Sequence, residues 1–323
     1  MNKELPIDMP FVGTARRLAS ARWKRTFLAL TVLLVISVGS APAPAQRRST
    51  TPALTLTTQP NAIIWIDEIR RGVTDASGQL ELKKIAAGRH TVRVRAAGFK
   101  EVTVPLPAGS RSLTVKLVRT TDQAELIFQS AELAREQAKD DEGRKKAEGL
   151  YLETLKLRPA FPAARVGLAR VLLDLNRYQA ALAEIDAARR TRPVYPEASA
   201  VEGRINREAA FTDDAIQSYR RAIRESKGFQ PEAHVGLARV LEEKGQYAEA
   251  EAEFRKALAQ LSDSEPVIYQ LLGAALEKQQ KFKEAIVAYE KYLELAPTGS
   301  LAPALRSIID QLRRDAEGQE IIP

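Results

Sequence analysis

Two different hydrophobic periods run through this chain. Between about Leu54 and Val118, apolar and polar residues alternate in short runs: Leu80-Glu-Leu82, His90 to Arg95, Glu101 to Val104 and Ser112 to Leu117. Ala62 to Ile66 is a continuous apolar run, and Gly72, Gly78, Gly88, Gly98 and Gly109 punctuate the series. A period of two with glycine-bearing turns predicts short antiparallel strands, each sheet burying one face and wetting the other. Beyond Phe128 the pattern is helical and repeats. Val166-Gly-Leu-Ala-Arg-Val-Leu172 recurs letter for letter at Val235 to Leu241, 69 residues on, with a weaker copy between them at Ala200 to Ile205. Small residues Ala147, Ala181, Ala215, Ala250 and Ala285 fall at one place in each unit, and Tyr151, Ile185, Tyr219, Phe254 and Tyr289 lie four residues further on. Such a spacing predicts five helical hairpins stacked as a solenoid.

The expected organisation follows from these periods. Residues 1–45 read as a secretory signal, 46–60 as a Thr-, Pro- and Arg-rich linker running into a first edge strand, and 61–119 as a small all-β sandwich. Residues 124–297 read as the solenoid, with units starting near 128, 162, 196, 231 and 266. An amphipathic helix at 298–315, with Leu301, Leu305, Ile308, Ile309 and Leu312 on one side, is expected to cover the last unit, and 316–323 to fray. Pro162, Pro196, Pro231 and Pro266 are placed to open the first helix of each unit, where a missing N–H costs nothing.

The first segment is an address. Residues 1–25 carry a net charge of +4, followed by twelve uncharged residues from Phe27 to Val38 and the small-residue exit Ala43-Pro44-Ala45. Basic head, short apolar middle and small-residue exit describe an export signal cleaved after Ala45. A bilayer span takes about 20 apolar residues, although the long basic head keeps an uncleaved anchor at 27–40 open as an alternative. The expectation is a protein exported across the cytoplasmic membrane and retained in the periplasm or cell envelope.

At these residues the chain resembles known families. The helical units are similar to the tetratricopeptide repeat. Its small residue at the eighth position matches Ala169, Gly203, Ala238 and Gly273 but not Arg135. Its alanine at the twentieth position is matched in all five units, and its aromatic at the twenty-fourth in four. The closing proline is present as Pro159, Pro193 and Pro297, whereas Lys227 and Ser262 replace it in units three and four, and the family's tryptophan is missing throughout. The β-region resembles two related extracytoplasmic sandwich modules. Gly72 to Leu80 is similar to the turn-and-strand signature of carboxypeptidase-regulatory-like domains; Ala86-Ala-Gly88 and Ala97-Gly98-Phe99 resemble the PEGA domain, of whose naming motif only Gly88 survives. The resemblance implies a non-catalytic accessory module beside a protein-binding array.

Charge and chemistry narrow the candidates. There is no cysteine, which excludes disulfides, thiolate metal sites and a cysteine nucleophile, and there are only two histidines, His90 and His234. No phosphate-cradling glycine loop, nucleophile elbow or paired acid–base motif is present, so neither a cofactor, a metal nor an enzymatic activity is implied. Residues 46–119 hold 13 Lys and Arg against 5 Asp and Glu, a net +8, whereas residues 120–323 carry a net −4. Opposite signs let the two regions attract each other or bridge partners of opposite charge. Arg93 and Arg95 alternate along one strand and share a face. They are candidates for an anionic cell-wall polymer or lipid surface, the alternative being a solvated outer face; nucleic acid is not implied for an exported chain.

In the tetratricopeptide family the second, fifth, ninth, twelfth and thirteenth positions of each unit line the concave wall. The ninth positions here are Arg170, Arg204 and Arg239, with Arg207 one turn beyond Arg204, and Glu197, Glu232, Glu208, Glu242 and Glu243 in the same strip. Either the arginines grip the carboxylates of a protein or peptide, or they neutralise these glutamates on a solvated face. The reading that follows is a cell-envelope adaptor holding a protein or peptide in the concave groove. The alternative is a wall- or polysaccharide-binding β-module with the helices as spacer, and an enzyme subunit is a third, less favoured reading.

Overall fold

The computed structural model describes residues 53–319, apart from 68, 83–84, 86–88 and 262–264, and the side chains of that span as far as Arg314. The expected export signal or anchor, residues 46–52 of the expected linker, the Gly88 motif and residues 320–323 lie outside the described residues. No helix among the described residues is long and apolar enough to cross a membrane.

Among the described residues, seven strands form two sheets. β1 (Leu54–Thr57) is the central strand of the first, flanked by β4 (Gln79–Leu82), antiparallel, and β7 (Ser112–Thr114), parallel. The second sheet has the order β3 (Ile69–Val73), β2 (Ile63–Ile66), β5 (His90–Arg95), β6 (Val102–Leu106). Leu54, Leu56, Ile64, Ile66, Val92 and Val94 point between the sheets and are essentially inaccessible, which is what a period of two delivers. Two differences from the sequence expectation matter. Part of the presumed linker is the middle strand of a sheet and not an edge, because Leu54 and Leu56 alternate with Thr55 and Thr57 to fill the core. β3 was not expected at all; its Ile-Arg-Arg-Gly-Val has no clean alternation and joins β2 across a bulge between Ile64 and Trp65. Gly78 closes the turn into β4 at φ +78°, with Thr58 O only 2.1 Å from where a Cβ would sit. No side chain fits there.

Eleven helices follow among the described residues. Inner helices α1 (Gln123–Gln137), α3 (Pro162–Asp174), α5 (Pro196–Glu208), α7 (Pro231–Glu243) and α9 (Pro266–Lys278) alternate with outer helices α2 (Asp141–Leu157), α4 (Tyr178–Thr191), α6 (Thr212–Glu225), α8 (Tyr247–Gln260) and α10 (Phe282–Leu295). Each helix packs on the next in sequence, and α1, α3, α5 and α7 also pack in a row. α11 (Ala302–Gln319) follows α10 and runs past the point at which fraying was expected. Its Leu305, Ile309 and Leu312 are buried in the same core as Tyr289 and Tyr292.

The repeat is a packing device. Tyr219 of α6 lies against Gly203 of its own unit and Gly236 of the next; an added Cβ would come within 2.7 Å and 2.3 Å of its ring. Tyr289 meets Gly273 and Tyr151 meets Gly167 in the same way. Glycine on the inner helices is therefore the space the aromatic occupies. Unit one departs from the register: α2 gains residues at its start and α1 is displaced towards the N-terminus. Ala131, fully buried, supplies the small residue there, and the misfit Arg135, one turn further along the same face, donates its Nε to Tyr151 Oη at 3.3 Å.

Candidate functional site: the inner wall and what covers it

The inner wall is the face presented by the first helix of each unit. The proline at the start of α3, α5, α7 and α9 fixes where that face begins, so equivalent positions line up from unit to unit. Arg170 of α3 donates to Glu197 of α5 at 2.6 Å and lies 4.0 Å from Glu232 of α7. Burial by itself would lower the Arg170 pKa, but Glu197 and Glu232 outweigh it and hold the guanidinium above its ordinary value. Burial likewise pushes the Glu197 carboxyl up, while Arg170, then Arg93, bring it down to about 2. Tyr195 Oη donates to the same carboxylate at 3.3 Å.

The other arginines of the row are placed differently. Arg204 is about half exposed and 3.3 Å from Asp174 of α3; Arg207 pairs with its neighbour Glu208; Arg239 is exposed, with Glu242 nearby. The row is thus not a single clamp. Arg170 is tied down, and Arg204 and Arg239 are the cations that face solvent.

Arg93 and Arg95 do not form an outward electropositive face, and this overturns the geometry expected for them. Both cover Trp65, with guanidinium carbons 4.2 Å and 5.2 Å from its ring centroid, and Arg95 also lies 4.9 Å from the centre of the Phe128 ring of α1. Arg95 is 7% exposed and donates to Glu101 at 2.7 Å and to Glu132 of α1 at 3.2 Å; Arg93 lies 3.5 Å from Glu101. A strand in a two-sheet sandwich has one face on the core and one outside; here the outer face of β2 and β5 is covered by helix, so its cations are paired. Burial acts to raise the Glu132 pKa, but Arg135 and Arg95, with the hydrogen bond from Tyr151, leave it below the usual carboxylate range. Gln129 of α1 completes the contact, accepting from Gly98 N at 3.0 Å and donating to Phe99 O at 2.8 Å.

The same module reaches further along the wall. Arg70 pairs with Glu136 at the end of α1 at 3.2 Å. Ile69 packs against the hydrophobic cluster built from α5 to α11, and burial holds the half-buried Arg71 guanidinium below its ordinary value, with Asp67 and then Glu265, just before α9, acting against that. The attraction expected between the basic and acidic halves is realised as specific pairs. Sequence reasoning missed this: Arg70, Arg71, Glu132 and Glu136 had no motif to announce them, and only the charge split hinted at it.

The two histidines have structural partners. His234 is buried, with Nδ1 2.5 Å from Glu253 and Nε2 3.2 Å from Gly228 O, and His90 Nδ1 lies 2.5 Å from Asp67. Among the described residues, no group of three Asp, Glu or His side chains is arranged to hold a metal ion.

Tetratricopeptide-repeat family models match residues 144–205 and 229–298. No curated protein gives a significant sequence match. Among solved structures, Pseudomonas aeruginosa PilF is 15% identical with a TM-score of 0.53, over 60% of this chain and 86% of that one. A thermophilic repeat protein of Thermus thermophilus is 22% identical with a TM-score of 0.47, over 58% and 98%. YrrB, described as a repeat protein with an unusual peptide-binding site, is 17% identical with a TM-score of 0.43, over 58% and 94%. Identities this low speak for the fold alone. With the repeat packing, two matching family models and the PilF likeness together, the helical region of this chain is a tetratricopeptide-repeat solenoid behind a small two-sheet β-region.

Proposed function

We propose that this protein is a non-catalytic adaptor that holds a protein or peptide on the inner wall of its solenoid, and that it works in the cell envelope after export. Proteins built on tetratricopeptide repeats are generally scaffolds for protein–protein interaction. The observation that carries the reading here is the exposure of Arg204 and Arg239 on successive inner helices, with Glu208 and Glu243 exposed beside them. A guanidinium offers two parallel N–H donors to a carboxylate, so the wall between α5 and α9 suits a partner segment with acidic groups. Arg170, Glu197 and Glu232 belong to the supporting network that fixes the spacing of α3, α5 and α7. The β-module orients the array by its contact with α1.

A photo-reactive residue at Arg239, activated in intact cells, tests this reading. We expect one major crosslinked protein, and at least a tenfold loss of its recovery when Arg204, Arg207 and Arg239 are all alanine. Undiminished recovery from the triple variant would remove the wall from the function. N-terminal sequencing of the mature protein checks export, with Gln46 as the expected first residue and an intact 27–40 segment as the anchor alternative. Polymer or lipid binding by the β-module, the second reading, now falls to its exposed cations Lys100, Arg111, Lys116 and Arg119. Sedimentation with cell-wall sacculi that is lost on Arg111→Glu with Lys116→Glu would favour it.

A further inference from the structure

Stacked hairpins bring the loops between units to one edge of the solenoid and the turns within units to the other. Contacts across units fix the first edge. Arg165 of α3 joins Pro159 O, in the loop after α2, to Glu184 of α4, at 3.0 Å and 2.7 Å. Arg189 near the end of α4 pairs with Glu225 at the end of α6 at 2.8 Å, and Ser199 Oγ of α5 donates to the same carboxylate at 2.8 Å. Gln260 at the end of α8 donates to Gly228 O, in the loop after α6, at 2.8 Å. Along this edge in units one to three, Lys156, Arg190, Arg224 and Lys227 are exposed, and none has a carboxylate partner among the described residues. Beside these cations Leu157 is 55% exposed and Val194 63%. The nearest exposed carboxylates of α2 and α4, Glu153 and Asp186, stand further back from the loops. The opposite edge is of mixed sign and paired: Lys244 lies 3.0 Å from Asp213, and Arg177 lies 2.6 Å from Glu148.

We propose that the inter-unit edge of units one to three docks on an anionic lipid surface, with Leu157 and Val194 entering the headgroup layer and the cations facing its charge. Basic residues at a helix C-terminus complement its dipole, which accounts for Arg190 and Arg224 but for neither aliphatic tip. Single exposed aliphatics are ordinary. Two of them among unpaired cations on one edge have the composition of an interfacial surface, where apolar burial and attraction to anionic headgroups add. Nucleic acid fits less well. Unpaired bases stack on exposed rings, and Phe161, Tyr195 and Phe229 of these loops are partly or fully buried. The edge lies apart from Arg204 and Arg239, so the inference stands whether or not the inner wall holds a partner.

Because the chain has no cysteine, one environment-sensitive fluorophore can be attached at Val194→Cys, or at the exposed Gln179→Cys on the opposite edge as the control. The full chain is mixed with vesicles of equimolar phosphatidylglycerol and phosphatidylcholine, or of phosphatidylcholine alone. We expect the emission at residue 194 to shift to the blue on the anionic vesicles only, and the emission at residue 179 to stay unchanged on both. Binding through the N-terminal segment does not by itself carry residue 194 into lipid, so the probe reports this edge. Arg190→Glu with Arg224→Glu and Lys227→Glu should raise the lipid concentration for half response by at least about tenfold. Should that chain fail to fold by circular dichroism, the three glutamine substitutions carry the same comparison. No shift at residue 194, an equal shift at both positions, or an undiminished response in the charge variant overturns the proposal. A shift produced by a single-stranded oligonucleotide and not by anionic vesicles overturns it too, and assigns the edge to a different polyanion.

Discussion

Tyr219 sits where two successive units meet, and its ring needs the volume that Gly203 and Gly236 leave empty. Gly203→Ala would place a methyl 2.7 Å from that ring. Overpacking of this kind costs about 1–3 kcal/mol, read as a lowered midpoint in urea. The opposite effect is expected one turn from the inner-helix end. Asn176, Ala210, Gly245 and Gln280 occupy the same left-handed position after α3, α5, α7 and α9, with φ between 58° and 75°. Ala210 is the poorest choice there, so Ala210→Gly is expected to stabilise by about 1 kcal/mol, a rise in Tm of a few degrees. Glu197 predicts a pH dependence. Its carboxyl is held at about 2 in the folded chain, below its unfolded value. The stabilisation is complete above the unfolded carboxylate value, about 4.3, and is lost as pH falls towards 2. Tm should therefore fall between pH 5 and 3, and Glu197→Gln should flatten that fall; an identical slope in both chains would sink the assignment.

At the scale of elements, α1 serves two neighbours at once. One side buries Ala124, Phe128 and Ala131, and the other carries Gln129, Glu132 and Glu136 to the β-module. Glu132→Ala would leave Arg95 with Glu101 alone and Arg135 without its carboxylate. Removing one partner of a buried pair costs about 3 kcal/mol or more, measurable by denaturant unfolding, with Glu132→Gln milder. α11 closes the other end. Because Leu305, Ile309 and Leu312 lie in the core of unit five, Leu305→Asp with Ile309→Asp should lower Tm and produce higher-order species on size exclusion. The hairpins and this last helix were legible in the residue spacing. β1 was obscured by its threonines and by the flanking Pro52 and Pro60, and β3 by two adjacent arginines that break alternation.

For the whole molecule, the decisive feature is that one part of the chain covers another. The basic β-region and acidic helices are joined through Arg70–Glu136 and Arg95–Glu132, and by longer-range coupling of Arg93 to Glu197 and Arg71 to Glu265. An arginine row read along the units would treat Arg170, Arg204 and Arg239 as equals. The folded chain separates them, since Arg170 lies between two carboxylates and the other two face solvent.

What the sequence determined by itself is the periodic part: two strand-forming and helix-forming regions, the hairpin repeat, the aromatic set into small residues, and the closing helix. These depend on neighbours within about one repeat, where spacing dictates which side chains meet. Tertiary structure alone decided which charges are buried and which are free. Arg95 and Glu132 lie 37 residues apart, Arg71 and Glu265 far more, and no local period carries that information. Their pairing follows from how a sandwich lies against a wall, which buries Arg95 while Arg204 and Arg239 stay exposed.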